Sequence, residues 1–217
     1  MNFEAIIFDC DGVLIDSEVI ANQAERDYFA EFGLDLTTDE FMARYVGLSF
    51  KDMVADMQPR VERALPDDLE VVINRLINEA FTGNLKAMPG IESLVQAVSV
   101  PIAVASSSSV ERLEFTLKLT GLRAWFGEHV YSSSMVIHGK PAPDLFLLAA
   151  SRLGIAPHKC LVIEDSPLGV TGANAAGMTV YGFVGGSHCK SGRADALIAS
   201  GAEKVFTRLA DLQHELG

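Results

Sequence analysis

Short, unbroken apolar runs that end abruptly in a polar residue recur along the chain. Three of them are residues 5–8 before Asp9, residues 102–105 before Ser106 and residues 160–163 before Glu164. Runs that are apolar at every position, rather than at alternate positions, indicate strands that are buried on both faces. The pattern therefore predicts a parallel sheet covered by helices.

Helix signals follow the second and third of these runs. Ser108 and Glu111 form a capping-box pattern, and Ser166-Pro167 supplies an N-cap and a first-turn proline. Further strands are predicted at 179–184 and at 205–206. Strands that alternate with helices in this way predict an α/β fold, with a Rossmann-like parallel sheet and helices on both of its faces.

Residues 17–83 follow a different pattern. Apolar side chains recur there at intervals of four residues, at Ile20, Ala24, Tyr28 and Phe32. Helix-compatible segments follow at 38–46, 50–63 and 68–81, without a strand signal among them. We therefore predict an all-helical cap over residues 17–83, inserted into an α/β core that is made of residues 1–16 and 84–217.

The composition is that of an ordinary globular protein. The 217 residues are 49% hydrophobic and 21% charged, and the net charge is −12. Such an acidic chain repels the phosphates of nucleic acids and of anionic membranes, so we expect neither as a partner.

The three cysteines, Cys10, Cys160 and Cys189, have no CxxC spacing, and we expect no disulfide. The first residues carry acids where a signal peptide would carry basic residues, and no apolar window approaches the ~18 residues of a membrane span. We expect a cytoplasmic protein and, from its small size and helical cap, a monomer.

Asp9 and Asp11 stand two residues apart where the first run ends. A simple Asp-Gly turn would explain Asp11-Gly12. An EF-hand loop is excluded, because its sixth and twelfth positions would be Leu14 and Ile20 instead of glycine and an acid. The carboxyl ends of parallel strands collect functional groups. One carboxylate there can attack phosphorus while the other gives a proton to the departing oxygen.

A second acidic pair, Glu164-Asp165, ends the third run. Helix capping would explain this pair when it is taken alone. If its strand neighbours the first strand, Asp9 joins the pair, and three crowded carboxylates raise one another's pKa unless a cation lies among them. The sequence therefore predicts a site for Mg²⁺, which would also neutralise a phosphoryl group.

Ser106 and Lys140 are candidates for binding that phosphoryl group. With Ser108 assigned to the helix cap, the Ser106 hydroxyl and the amides of Ser107 and Ser108 stay free to bind an anion. Lys140, which is stiffened by the prolines that follow it, can supply a fixed positive charge. A serine-rich turn and a solvated lysine are the plainer explanations of these two signals.

The order of these signals along the chain resembles that of the haloacid dehalogenase superfamily of phosphohydrolases. The resemblance runs from Ile6 to about Phe183 and includes all four of the family's motifs. The segments 162–166 and 175–178 are similar to the branch that holds phosphatases and β-phosphoglucomutases with a helical cap.

The resemblance implies a role for each candidate. Asp9 would be the nucleophile and a Mg²⁺ ligand, while Asp11 would bind the metal through its backbone carbonyl and act as general acid and base through its side chain. The remaining roles are implied for side chains from three later segments: Ser106, Ser107 and Lys140 on the phosphoryl group, and Glu164 and Asp165 on Mg²⁺.

Asp11 favours phosphate ester chemistry over dehalogenation, because an alkoxide that leaves phosphorus needs a proton donor. A mutase cap usually grips a second phosphate with basic side chains. Here Phe50 and Lys51 follow Gly47-Leu48-Ser49 where the mutase pattern has arginine, and residues 18–86 hold fourteen acidic and seven basic residues.

We therefore expect a Mg²⁺-dependent phosphatase for a small phosphorylated metabolite, a sugar or polyol phosphate, that acts through an aspartyl-phosphate. A β-phosphoglucomutase-like phosphomutase is the alternative, and a non-catalytic module that binds a phosphometabolite is a third. Gly47 and Lys51 are the cap residues expected to reach the substrate.

Overall fold

A computed structural model of the chain describes residues 3–45 and 50–217, apart from the side chain of Lys51. The chain divides into two compact units, Met1–Asp16 with Lys86–Gly217 and the inserted Ser17–Leu85. No helix in the described ranges is both long and apolar enough to cross a membrane.

The larger unit, where the structure describes it, is built on a parallel sheet of six strands. Their bounds are β1 (Ala5–Phe8), β2 (Ile102–Ser106), β3 (Val130–Ser132), β4 (Cys160–Glu164), β5 (Thr179–Phe183) and β6 (Lys204–Phe206). The strand order is β3-β2-β1-β4-β5-β6 and every pairing is parallel. The predicted α/β class with a parallel sheet is thus confirmed.

The inserted unit is helical in its described residues, as predicted. Its helices are α1 (Glu18–Ala30), α2 (Thr38–Tyr45), α3 (Phe50–Met57) and α4 (Leu69–Phe81). Helix α3 ends six residues earlier than the predicted segment, because Pro59 has no backbone N–H and disfavours helical geometry in the residue before it. On α1 the fully buried aromatic side chain is Phe29, which stacks on Phe41 with ring centroids 6.2 Å apart.

Six more α-helices lie in the described residues of the larger unit. They are α5 (Ile91–Ala97), α6 (Val110–Leu119), α7 (Asp144–Leu153), α8 (Pro167–Ala175), α9 (Arg193–Ala199) and α10 (Leu209–Leu216). Helices α6 and α8 begin after β2 and β4, where the capping signals predicted helices. Helices α5, α9 and α10 and strand β3 were not predicted. Helices α5 and α9 have only seven residues each and β3 only three.

Both faces of the central strands are buried, which explains their continuous apolar sequence. Ala5 and Ile7 of β1 join a cluster with Leu145, Phe146 and other side chains of α7 to α9. The alternate residues Ile6 and Phe8 point to the opposite face and are also fully buried.

Two leucines of α7 test how much the packing of this helix against the sheet contributes to stability. Leu145 is fully buried and Leu147 is 41% exposed on the same helix. We expect Leu145→Ala to lower the free energy of unfolding by about 2–5 kcal/mol, because it leaves a cavity under the sheet. The matched control Leu147→Ala should change it by less than about 0.5 kcal/mol. Urea unfolding measures both, and equal losses would contradict the assignment of α7's buried face.

Candidate active site

The predicted catalytic residues lie at the topological switch point of the sheet, between β1 and β4. From β1 the chain builds β2 and β3 on one side, and it then returns to place β4 on the other. A crevice forms at the carboxyl ends of the strands at such a point, and ligands bind there in open α/β sheets. The Asp9 amide continues the ladder by donating to the Ile163 carbonyl at 2.9 Å, so Asp9 lies beside Glu164.

Lys140 joins the two acidic strand ends. Its Nζ donates to Asp9 Oδ1 at 2.6 Å and to Glu164 Oε2 at 2.7 Å. The side chains of Lys140, Asp9 and Glu164 are only 5%, 9% and 0% exposed. Three residues that are far apart in sequence therefore form one buried, charged cluster.

Glu164 is fixed on its other side by the start of α8. The amide and the hydroxyl of Ser166 donate to Glu164 Oε1 at 3.1 and 2.7 Å. The same hydroxyl accepts a hydrogen bond from the Gly169 amide at 3.0 Å and so caps the helix, as the sequence predicted. The carboxylate of Glu164 is thus bound at both oxygens.

Asp11 is held by serines from the turn after β2. Ser108 Oγ donates to Asp11 Oδ2 at 2.8 Å, and Ser106 Oγ lies 3.4 Å from the same oxygen. The assignment of Ser108 as the cap of α6 is wrong: the N-cap is Ser109, whose hydroxyl accepts from the Arg112 amide. A cap one residue later frees the Ser108 side chain to reach Asp11.

The backbone amides of the serine turn are not all free, although the sequence predicts free amides at Ser107 and Ser108. The Ser108 amide donates to Ser106 Oγ at 3.1 Å and is therefore engaged inside the turn. Ser107 is exposed, and its carbonyl accepts from Ser133 Oγ at 2.9 Å. Ser106 and Ser107 lie at the same edge of the sheet as Asp9, since Ser106 ends the strand that pairs with β1.

Gly12 makes room for Asp165. Its φ is +81°, and a Cβ at this position would lie 2.1 Å from Asp165 Oδ2. Any other residue would both strain the backbone and displace the carboxylate. The glycine after Asp11 therefore lets the second acidic pair approach the first one.

Sequence reasoning missed His188 and Cys189 as members of this region. His188 Nε2 lies 2.9 Å from Asp165 Oδ2 and 3.3 Å from Cys189 Sγ. Burial alone would lower the pKa of His188, but its hydrogen bonds to Asp165 and Cys189 outweigh burial and raise the pKa to about 10. The signal that could have found them is their position: they follow β5, whose carboxyl end lies at the same edge.

The cluster carries more negative than positive charge. Burial raises the pKa of Asp9 well above its usual value, and the neighbouring Glu164 raises it further, while Lys140 lowers it. Burial would lower the pKa of Lys140, but Asp9 and Glu164 outweigh it and hold that pKa above its usual range. Lys140 is therefore a permanent cation that only partly offsets its acidic neighbours.

The unbalanced carboxylates fit a hard divalent cation. Asp9, Glu164 and Asp165 each offer an oxygen, and these oxygens lie within 4.8 Å of one another. A dication among them would remove the repulsion that disfavours ionised Asp9. The donor set is all oxygen, as Mg²⁺ prefers.

Two predicted cap residues fall outside this description. Gly47 lies in the segment 46–49, which is outside the described residues. Lys51 is the second residue of α3, and its side chain is likewise outside them. Their predicted contact with substrate stays a prediction.

Comparison with known proteins shows which family the chain belongs to. The model of the haloacid dehalogenase-like hydrolases matches residues 3–177. The chain belongs to this family. Phosphatases of the family typically use Mg²⁺, in agreement with the oxygen cluster.

Individual relatives agree with the family match. The chain is 29% identical to 6-phosphogluconate phosphatase of Escherichia coli, over 86% of this chain and 85% of the relative. It is 32% identical to a phosphorylated carbohydrates phosphatase of Thermotoga maritima, over 83% and 85% of the two chains. A crystal structure of a haloacid dehalogenase-like protein from Agrobacterium tumefaciens is 36% identical with a TM-score of 0.88, and the match covers 99% of this chain and 97% of the other.

These matches identify the chain as a haloacid dehalogenase-type phosphatase, that is, a phosphoric monoester hydrolase. The predicted family and enzyme class are confirmed.

The raised pKa of Asp9 makes a prediction about stability. Between the usual value of 3.8 and the raised one, the folded state holds more protons than the unfolded state, so metal-free stability falls as pH rises. Asp9→Asn lacks this penalty and its amide oxygen can still accept from Lys140. We expect metal-free Asp9→Asn to be more stable than the wild type at pH 7, by a margin that shrinks towards pH 4.

Urea unfolding in a chelator across this pH range measures the margin. The matched control is Asp35→Asn, which changes an exposed aspartate and should show no such trend. An Asp9→Asn variant that is less stable than the wild type at pH 7 would contradict the electrostatic account.

Proposed function

We propose that this chain hydrolyses a small phosphomonoester, a sugar or polyol phosphate, in a Mg²⁺-dependent reaction that passes through an aspartyl-phosphate on Asp9. The observation that carries the proposal is the pair of carboxylates at the end of β1, of which Asp9 contacts Lys140 and Asp11 contacts Ser108. The names of the two relatives above support a phosphorylated carbohydrate as substrate.

The different surroundings of the two carboxylates assign them different roles. Asp9 Oδ1 accepts from Lys140, which leaves Oδ2 as the oxygen that attacks phosphorus. As the bond from Oδ2 to phosphorus forms, the ester bond breaks, and the departing alkoxide takes a proton from Asp11. The ammonium of Lys140, together with Ser106 and Ser107, holds the oxygens of the transferring group.

Hydrolysis of the intermediate reverses the direction of proton transfer. Asp11, now a carboxylate, takes a proton from water as the water oxygen bonds to phosphorus. The bond between phosphorus and Asp9 Oδ2 breaks, and orthophosphate leaves. The hydrogen bond from Ser108 keeps the Asp11 side chain in place through both steps.

The oxygen cluster described above provides the ligands for the metal. Asp9, Glu164 and Asp165, with the backbone carbonyl of Asp11, would hold Mg²⁺. When bound, Mg²⁺ supplies positive charge that offsets the carboxylates and the phosphoryl oxygens. Glu164 is oriented for this role by Ser166 and Lys140.

A panel of phosphorylated metabolites tests the proposal. We expect purified protein with Mg²⁺ to release orthophosphate from one or more sugar or polyol monophosphates, and to release none in chelator. Asp9→Asn should abolish release. The proposal fails if no phosphate is released across the panel while β-glucose 1-phosphate is converted to the 6-phosphate, which is the outcome for a mutase. Binding of metabolites without turnover would indicate a non-catalytic module.

Removal of the proton donor should slow both halves of the reaction. We expect Asp11→Asn to lower the rates of formation and of hydrolysis of the aspartyl-phosphate by about 10²- to 10⁴-fold. Rapid quenching with a labelled substrate separates these rates. Ser108→Ala, which removes the hydrogen bond to Asp11, should lower both rates by a smaller factor.

Ser109→Ala is the matched control for that experiment. Ser109 caps α6 and its hydroxyl bonds to the Arg112 amide instead of to Asp11. Ser109→Ala should cost about 1 kcal/mol of stability without a change in either rate. Wild-type rates in Asp11→Asn would rule out its role as acid and base.

A further inference from the structure

The loop after β5 is tied to the acidic edge of the sheet at several points. The Ser187 amide and hydroxyl donate to Asp16 Oδ1 at 3.0 and 2.8 Å. Farther along, Arg193 Nε donates to the backbone carbonyl of Asp165 at 2.9 Å. These contacts fix the path of the chain between them, which holds His188 and Cys189.

Two ligand types from this loop and a third from the turn after β4 converge on a small volume. Asp165, His188 and Cys189 each offer one atom, and these atoms lie within 4.8 Å of one another. His188 is 7% exposed. A Cβ on Gly186 would lie 2.8 Å from the imidazole ring, so the glycine is needed for the ring to reach Asp165. The reaction proposed above uses neither His188 nor Cys189.

The chemistry of this set differs from that of the oxygen cluster beside it. Imidazole nitrogen and cysteine sulfur are preferred ligands of Zn²⁺ and other first-row transition metals, and Mg²⁺ prefers oxygen alone. Zinc–ligand bonds of about 2.0–2.3 Å place tetrahedral ligand atoms roughly 3.3–3.7 Å apart. The contacts from His188 Nε2 of 2.9 Å to Asp165 and 3.3 Å to Cys189 need only a small expansion to reach that spacing.

We propose that Asp165, His188 and Cys189 form a binding site for Zn²⁺, and that zinc bound there withdraws Asp165 from the Mg²⁺ centre and inhibits hydrolysis. Binding breaks the Nε2–H bond of His188 and the S–H bond of Cys189, and both protons leave to solvent. Three protein ligands leave a fourth position for water, as in catalytic zinc sites. The inhibitory half of the proposal rests on the proposed function, whereas the binding half does not.

Cobalt(II) as a spectroscopic substitute for zinc tests the binding half on the full chain. We expect one equivalent of Co²⁺ to give a near-ultraviolet charge-transfer band from thiolate to cobalt, and one equivalent of Zn²⁺ to abolish it. Cys189→Ser removes the thiolate and should lose the band. His188→Gln should shift the band to Co²⁺ concentrations at least ~10-fold higher, the smaller cost of a perturbed metal site.

The remaining residues serve as internal controls. Cys189→Ser still contains Cys10 and Cys160, so a band that survives in this variant would assign ligation elsewhere and overturn the site. His158→Gln changes a histidine away from the cluster and should leave the band unaltered. Circular dichroism of each variant establishes that it is folded before the titration is read.

Competition between the metals tests the inhibitory half. Each variant is compared with its own rate at zero zinc. We expect micromolar Zn²⁺ to inhibit the wild type, added Mg²⁺ to relieve the inhibition, and Cys189→Ser to need at least ~10-fold more zinc. Equal inhibition of wild type and Cys189→Ser would overturn the antagonism. A chain without phosphatase activity would refute the proposed function, and the cobalt band would still decide the zinc site.

Discussion

Repulsion among carboxylates gathered at the ends of β1 and β4 is the constraint that shapes the rest of this site. Asp9, Asp11, Glu164 and Asp165 meet in a largely buried region, where their charges are poorly screened. Lys140 offsets part of this charge by contacting two of the four acids. The protein thus keeps an arrangement that is costly without a cation, and a cation bound there would remove that cost.

The fold makes this arrangement possible through the order of its strands. Because β4 returns to pair with β1, the register that matches Phe8 with Ile163 also brings Asp9 next to Glu164. Close packing on both faces of these strands fixes the register, since a slip by one residue would exchange side chains of different size between the two faces. The rigidity of the apolar core is therefore transmitted directly to the relative positions of the acids.

Much of this could be predicted from the sequence, and the reasons are specific. The runs that became β1 and β4 are apolar at every position, and their terminal acids marked the edge at which they meet. Strand β3 has only three residues, the last of which is a serine, so periodicity carried no signal there. Local sequence patterns alone were enough to predict the fold class and the positions of the central strands.

The details of the site depended on contacts that no local pattern shows. Ser108 and Asp11 are 97 residues apart, and their hydrogen bond exists because α6 is capped one residue later than the capping-box pattern suggests. His188 reaches Asp165 through the path of a loop, which depends on glycines and on Ser187. Single-residue shifts in a cap and the course of a loop are set by tertiary packing, which lies beyond sequence periodicity.

Ser166 shows how closely folding and chemistry are joined in this protein. Its hydroxyl donates a hydrogen bond to Glu164 and accepts one from the Gly169 amide. The same side chain therefore orients the acid and caps the helix. Evolution cannot adjust the start of α8 and the orientation of Glu164 independently at this position. Threonine, with the same hydroxyl, is the one other coded side chain that preserves both contacts.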